Sequence, residues 1–299
     1  MTPLTSSLQG LGVALITPFN AQGQIDFPAL QNIVGRQIDG GTSFLVVLGT
    51  TGETPTLTAE EQRRVVDFVL EVTERKLPVI VGVTGNSTME LCDRIQNWGD
   101  DGIAAFLVAT PSYNKPNQEG LRLHYEAVAN VAPHPVMLYN VPGRTGCNLA
   151  TDTVLSLAGH PNIVGIKEAS GDLAQIGAIL AGRPSGFGVW SGDDALAMPT
   201  VAMGADGVVS VLGNMLPAPM SAMIQQAAFG QMHDARSAHA LLSPLMKLLF
   251  EEGNPAGIKA AMGHLALCEP HVRLPLTPAS EALAQKLYAA IAALDVPAA

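Results

Sequence analysis

Basic residues are scarce in this sequence, with 16 Lys and Arg against 26 Asp and Glu and a net charge of -10. A field of that sign repels phosphate backbones, and no basic stripe interrupts it, so nucleic acid is excluded as a partner. Cysteine is scarcer still. Cys92, Cys147 and Cys268 are odd in number and widely spaced, in a chain of 299 residues that is too large to need disulfide staples. They read as reduced thiols in the cytoplasm. Met1 to Gly10 carries no positive segment, and the apolar run Val13 to Ile16 stops at Thr17-Pro18, so no secretion signal is expected. Nowhere do about 18 apolar residues run unbroken, which excludes a membrane-spanning helix. Charged residues make up only 14% against 47% hydrophobic, which is too apolar for disorder. The length suits one α/β barrel of ~250 residues with an extension, or two ordinary domains.

What is present is an alternation of short β-branched runs and amphipathic stretches, the pattern of parallel strands with helical crossovers. The runs are Gly12 to Thr17, Ser43 to Gly49, Pro78 to Thr84, Ile103 to Thr110, Pro135 to Val141, Ile163 to Glu168, Phe187 to Ser191 and Gly207 to Val211. Among the helical stretches, Thr58 to Glu74 opens with a Thr58/Glu61 capping box and carries an apolar stripe of Val65, Val66, Val69 and Leu70. A doubly wound open sheet would alternate in the same way, but it would gather its reactive residues at one switch point. Here nearly every run ends in them: Thr17, Thr50 and Thr51, Thr84, Thr110, Tyr139, Lys167, Asp193 and Ser210. That distribution predicts a (β/α)8 TIM barrel over residues 1–225. Residues 226–299 read as an appended helical region, interrupted at Gly253-Asn254-Pro255 and Pro275 to Pro278, and packed on the barrel or on a partner subunit.

Lysine is rare as well. Five of the six, Lys76, Lys115, Lys247, Lys259 and Lys286, fall where solvent is expected, whereas Lys167 ends the run Ile163-Val164-Gly165-Ile166. In a strand covered on both faces its ammonium would be held among apolar groups. Burial disfavours the charged form, and the neutral amine is the form that attacks a ketone to make a Schiff base. Strand alternation puts Gly165 on the same face, where it is expected to leave space beside the amine. The alternative is a lysine paired with Glu168 or Asp193 at the rim. Tyr139, one of four tyrosines, ends the neighbouring run, where a phenol can shuttle protons or simply pack. Gly49-Thr50-Thr51-Gly52-Glu53 offers backbone N–H groups to an anion, or is only a tight turn. Arg144, in Pro142-Gly143-Arg144-Thr145-Gly146, can take a carboxylate through two parallel hydrogen bonds, or is a surface arginine. Gly204-Ala205-Asp206-Gly207 precedes a strand rather than following one, which marks it as a turn.

No histidine ends a run, no histidine pair has helical ligand spacing and no cysteine pair has it either, so neither a metal nor another cofactor is expected. The nucleophile elbow, the dinucleotide fingerprint and the P-loop are also missing, which removes hydrolase, dehydrogenase and kinase readings.

Taken together, Gly49-Thr50-Thr51-Gly52-Glu53, Thr110-Pro111-Ser112-Tyr113-Asn114, Leu138 to Gly146, Gly165-Ile166-Lys167-Glu168 and Ser191-Gly192-Asp193-Asp194 resemble the dihydrodipicolinate synthase family. That family belongs to the pyruvate-dependent class I aldolases and lyases, which include N-acetylneuraminate lyase. The motifs occur in order from Leu11 to the Leu274-Pro275-Leu276-Thr277-Pro278 segment. The resemblance implies that Lys167 forms the Schiff base with pyruvate and that the enamine attacks aspartate semialdehyde in lysine biosynthesis. It further implies a proton relay of Tyr139, Thr50 and Tyr113, with Tyr113 reaching in from a neighbouring subunit. Thr51 would hold the pyruvate carboxylate through its backbone N–H, assisted by Gly192 and the carbonyl of Val209, and Arg144 would hold the carboxylate of the semialdehyde. The implied partners are small molecules only, with no nucleic acid and no membrane, in a homotetramer built as a dimer of dimers. A sugar-acid lyase of the same group is the rival, and Arg144 argues against it, because such a lyase needs small or hydroxyl-bearing residues there.

Overall fold

A computed structural model describes residues 3–99 and 102–294 of the chain. Residues 1–2 and 295–299, the outer ends of the two expected segments, lie outside the described residues. A short helix, α1 (Pro3–Ser7), leads into β1 (Gly10–Ala14). Seven more strands follow: β2 (Phe44–Val47), β3 (Val79–Gly82), β4 (Ala105–Ala109), β5 (Val136–Asn140), β6 (Ile163–Glu168), β7 (Gly188–Ser191) and β8 (Gly207–Ser210). Between them lie α2 (Phe27–Asp39), α3 (Ala59–Thr73), α4 (Thr88–Gln96), α5 (Gln118–Val131), α6 (Pro142–Thr145), α7 (Thr151–Leu157), α8 (Leu173–Gly182) and α9 (Asp194–Ala202). Every neighbouring strand pair is parallel, and β8 pairs back onto β1, closing the barrel. After β8 come α10 (Pro217–Ala228), α11 (Met232–Leu248), α12 (Ala256–His264) and α13 (Glu281–Ala292).

The runs read as continuously apolar because both faces of the sheet are covered, and alternation sorts their residues into two cores. Leu45, Val47, Val79, Val81, Leu138 and Ile166 face the helices. Phe44, Val46, Ile80, Leu107, Met137, Trp190 and Val209 fill the interior. Large rings in the interior demand bare backbone opposite them. A Cβ at Gly12 would stand 2.2 Å from the Phe44 ring, and one at Gly188 would stand 2.1 Å from the Trp190 ring. Trp190 Nε1 donates to Leu8 O at 2.7 Å, so the chain after α1 is tied to the floor of the barrel.

Local signals fix the helix starts. The Thr58/Glu61 capping box forms in both directions, with Glu61 N donating to Thr58 Oγ1 at 3.2 Å and Thr58 N donating to Glu61 Oε2 at 2.9 Å. Asp26, Asp172 and Asp193 cap α2, α8 and α9 in one direction, each carboxylate accepting from backbone N–H groups of the first turn. The first strand starts and ends earlier than its apolar run suggests. Leu15 N still donates to Val46 O, after which the chain leaves the sheet for an isolated antiparallel bridge between Phe19 and Ile25. No helix among the described residues is long and apolar enough to cross a membrane.

Candidate active site

Parallel strands bring their C-terminal ends to one rim, and a cavity of about 320 Å³ opens there. Thr50, Thr84, Thr110, Tyr139, Arg144 and Thr145 lie in its wall. A larger concavity, about 710 Å³, lies at the opposite end beside Gly10, Gly188 and Asp206. Its main charged groups cancel, since Arg183 pairs with Asp206, whose Oδ2 also accepts from Val189 N at 2.8 Å. The segment around Asp206 therefore serves as a turn, and the smaller cavity is the one with unspent polar groups.

Strand register sets the centre of the site. Tyr139 on β5 stands directly opposite Lys167 on β6, and both side chains turn inward. Lys167 is 6% exposed, and its Nζ lies 4.3 Å from the centroid of the Tyr139 ring. Among the described residues no carboxylate pairs with it. Glu168 turns to the other face, where it accepts from Asn140 Nδ2, Gln175 Nε2 and Ser170 N at 3.0, 3.0 and 2.7 Å. Asp193 is committed to Ala195 N at 2.8 Å. The rim ion pair that was the alternative for Lys167 is thereby absent.

Gly165 does not provide the space expected of it. A Cβ there would meet Gly188 O at 2.4 Å and the Trp190 ring at 2.6 Å, so this glycine makes room for the indole one layer below the amine. The glycine beside Lys167 is Gly192, where a Cβ would lie 3.1 Å from Lys167 Cε and 2.6 Å from Ala169 Cβ. Val209 is buried in the same interior cluster as Tyr139. Thr51 is buried in the 3-10 turn Thr50–Gly52 after β2, while Thr50 faces the cavity. Arg144, exposed on the short α6, reaches the cavity wall and makes no ion pair among the described residues. Thr110 Oγ1 donates to Thr145 Oγ1 at 3.0 Å, tying the end of β4 to the helix that carries Arg144. Tyr113 is not brought in. It stands 91% exposed, with φ 70, on the loop after β4 and outside the cavity wall.

Other polar strand ends have structural partners. Thr17 Oγ1 donates to Gly52 O at 2.8 Å, and Ser210 Oγ accepts from Gly213 N at 2.8 Å. Lys259 overturns the expectation that five lysines face solvent. It is fully buried, and its Nζ lies 2.5 Å from Glu53 Oε1. Burial pulls its pKa below the ordinary lysine range while Glu53 opposes that shift. The cause is tertiary, because α12 lies across the loop after β2, a pairing between distant segments that local periodicity does not carry.

Sequence reasoning also missed the polar groups behind the site. Asn140 and Glu168 each follow a candidate catalytic residue, so alternation must turn them outward. A polar residue at an outward, helix-covered position was the available signal. Their hydrogen bonds span β5 and β6 at the register step next to Tyr139 and Lys167. Asp194 is a second example. Its buried Oδ2 accepts from Val211 N and Leu212 N at 3.0 and 2.8 Å, fixing the chain just beyond Val209, and burial raises its carboxyl pKa.

Comparison with known proteins agrees with this geometry. The dihydrodipicolinate synthetase family matches residues 7–294. A 4-hydroxy-tetrahydrodipicolinate synthase of Salinibacter ruber is 48% identical over 274 residues, 91% of each chain. The enzyme of that name from Azobacteroides pseudotrichonymphae is 44% identical over 285 residues, covering 95% of this chain and 96% of its own. Among solved structures, a chloride-inhibited dihydrodipicolinate synthase from Acinetobacter baumannii, complexed with pyruvate, superposes with a TM-score of 0.93 at 39% identity, covering 96% of this chain and 99% of its own. By fold, by the order of its motifs and by these likenesses, the chain belongs to the dihydrodipicolinate synthetase family.

Proposed function

We propose that this protein condenses pyruvate with L-aspartate 4-semialdehyde through a Schiff base on Lys167, giving 4-hydroxy-tetrahydrodipicolinate on the diaminopimelate route to lysine. The observation that carries the reading is an amine withdrawn from water at the mouth of a closed barrel, against the Tyr139 ring and with no carboxylate among the described residues to satisfy it. The relatives named above bear the name of this reaction, and one was solved with pyruvate.

The steps follow from the groups at hand. The Lys167 amine adds to the ketone carbon of pyruvate, and the carbinolamine loses water to become an imine. Tyr139 and Thr50 pass the protons that these steps release and require. Loss of a proton from the pyruvate methyl gives an enamine, whose carbon attacks the aldehyde of the semialdehyde, and the new alkoxide takes up a proton. The amino group of the semialdehyde then attacks the imine carbon and displaces the lysine, which closes the ring and returns the free amine. Thr51 N–H, with Gly192 and the carbonyl of Val209, holds the pyruvate carboxylate in this scheme. Arg144 receives the second carboxylate in a charge-assisted pair. Tyr113 completes the relay from a neighbouring subunit, a role that suits a tyrosine standing in solvent on its own chain. The enzyme is accordingly a cytoplasmic homotetramer, a dimer of dimers. Sedimentation at four times the chain mass is the expected result, and a monomer with full activity rejects that part of the scheme.

The test of the reaction is product formation from the two substrates in Arg144→Ala, alongside borohydride trapping of pyruvate on the peptide containing Lys167. The expected outcome is a loss of turnover of about 10- to 100-fold, the cost of one charge-assisted pair, with trapping intact. Full activity in the variant would reject the semialdehyde as substrate and favour a sugar-acid aldehyde.

A further inference from the structure

The loop that follows β2 is held from outside the barrel. Glu53, which ends the Thr50–Gly52 turn of that loop, has φ 54, a left-handed conformation that a non-glycine side chain keeps only where its surroundings enforce it. The enforcing groups come from the C-terminal region. Lys259 Nζ reaches Glu53 Oε1, and Arg273 N donates to Glu53 Oε2 at 3.0 Å. The Lys259 ammonium also donates to His271 O at 2.9 Å. One turn away, Asn254 Nδ2 donates to Thr51 Oγ1 at 2.9 Å, across 203 residues of sequence and with both groups buried. The barrel itself adds the Thr17 hydroxyl on Gly52 O. Three consecutive residues of the turn, Thr51, Gly52 and Glu53, are thus pinned, and two of the three pins come from the region after the barrel.

A buried ion pair is poor evidence for stability, because removing two charges from water offsets most of their attraction. Its value here lies in what it fixes. An N–H that must meet a carboxylate at hydrogen-bond distance loses much of its use if its peptide plane can rotate. We propose that Asn254 is a positioning residue for the keto acid: by holding the Thr51 hydroxyl it sets where Thr51 N–H points, while the Lys259–Glu53 pair sets the far end of the same turn. The helical region after the barrel is then a functional part of the site although Asn254, Lys259 and Arg273 stand outside the cavity wall. The proposal rests on the reading of Thr51 as the pyruvate carboxylate holder.

The test uses the full-length enzyme as a double-mutant cycle of Thr51→Val and Asn254→Ala, with Asn254→Ser measured in parallel so that the comparison survives a poorly folding alanine variant. Two quantities are read: the pyruvate concentration giving half-maximal borohydride trapping on Lys167, and kcat at saturation. Each single change is expected to raise the half-trapping concentration about tenfold, the worth of one lost hydrogen bond, while kcat changes by less than about threefold. The double variant is expected to be no worse than the poorer single one, because both remove the same contact. An unchanged half-trapping concentration, effects that multiply in the double variant, or a loss confined to kcat and melting temperature each overturns the proposal. Wild-type enzyme that traps no pyruvate is a different result, since it removes the reading of Lys167 and the proposal together.

Discussion

Lys167 and Lys259 are both withdrawn from water, and each side-chain nitrogen lies over an aromatic ring, Tyr139 at 4.3 Å and Phe19 at 4.1 Å. They differ in what else they touch. Lys259 has Glu53 and the carbonyl of His271 as acceptors, and Glu53 is itself bound by Arg273 N, so its charge is met by a carboxylate that is held in turn. Lys167 has no acceptor among the described residues, and the cavity opens beside the ring it packs against. Burial alone therefore does not mark a reactive lysine. A satisfied buried amine is part of the framework, whereas an unsatisfied one at a strand's C-terminal end is held ready for a ligand.

The comparison is sharpest when each lysine is replaced by methionine, which keeps the stem and removes the nitrogen. Lys167→Met is expected to lower turnover by on the order of 10⁴-fold or more, as loss of a covalent nucleophile does, with urea-unfolding stability unchanged or raised. Lys259→Met is expected to lower unfolding free energy by about 3–5 kcal/mol by stranding Glu53, and Lys259→Met combined with Glu53→Leu to recover most of it. If Lys259→Met is as stable as wild type, or Lys167→Met is badly destabilised, the distinction between the two lysines fails. A smaller effect comes from the edge of the Lys259 network, where the Arg273 guanidinium holds the Glu61 carboxyl down at about 2 from an ordinary 4.5. A carboxyl whose folded-state pKa is depressed adds stability above pH 4.5, and that stability fades as pH falls from there toward 2. Allowing for solvent screening of a partly exposed pair, about 1–2 kcal/mol should disappear over that window in urea titrations. Glu61→Gln should flatten the pH slope between the two values, and an unaltered slope would show that the pair contributes nothing.

Much of the fold was legible because a parallel barrel imposes period-two burial on every strand and punctuates it with turns. The run Ile163 to Glu168 matches β6 at both ends, and the Thr58/Glu61 box starts α3 where it was expected. Lys167, Tyr139, Thr50 and Arg144 were legible as candidates because each is a polar residue at the end of an apolar run or just beyond one. The space credited to Gly165 was not, because a glycine in a strand records that something large is nearby without saying what, and here it is the Trp190 ring. The burial of Lys259 was hidden for a related reason. Its partner lies 206 positions away, and nothing in the local pattern of α12 distinguishes a solvated lysine from a paired one.

The indole of Trp190 across Gly165 and Gly188, with the Phe44 ring across Gly12, closes the barrel one layer under Lys167. With those rings packed across its floor, the chamber opens at the rim where the strands end. In the proposed reaction, whatever is built on Lys167 backs out toward that rim, and a second reactant arriving too early stands in the path of the first. The order of the proposed reaction is in this sense written into the shape of the room.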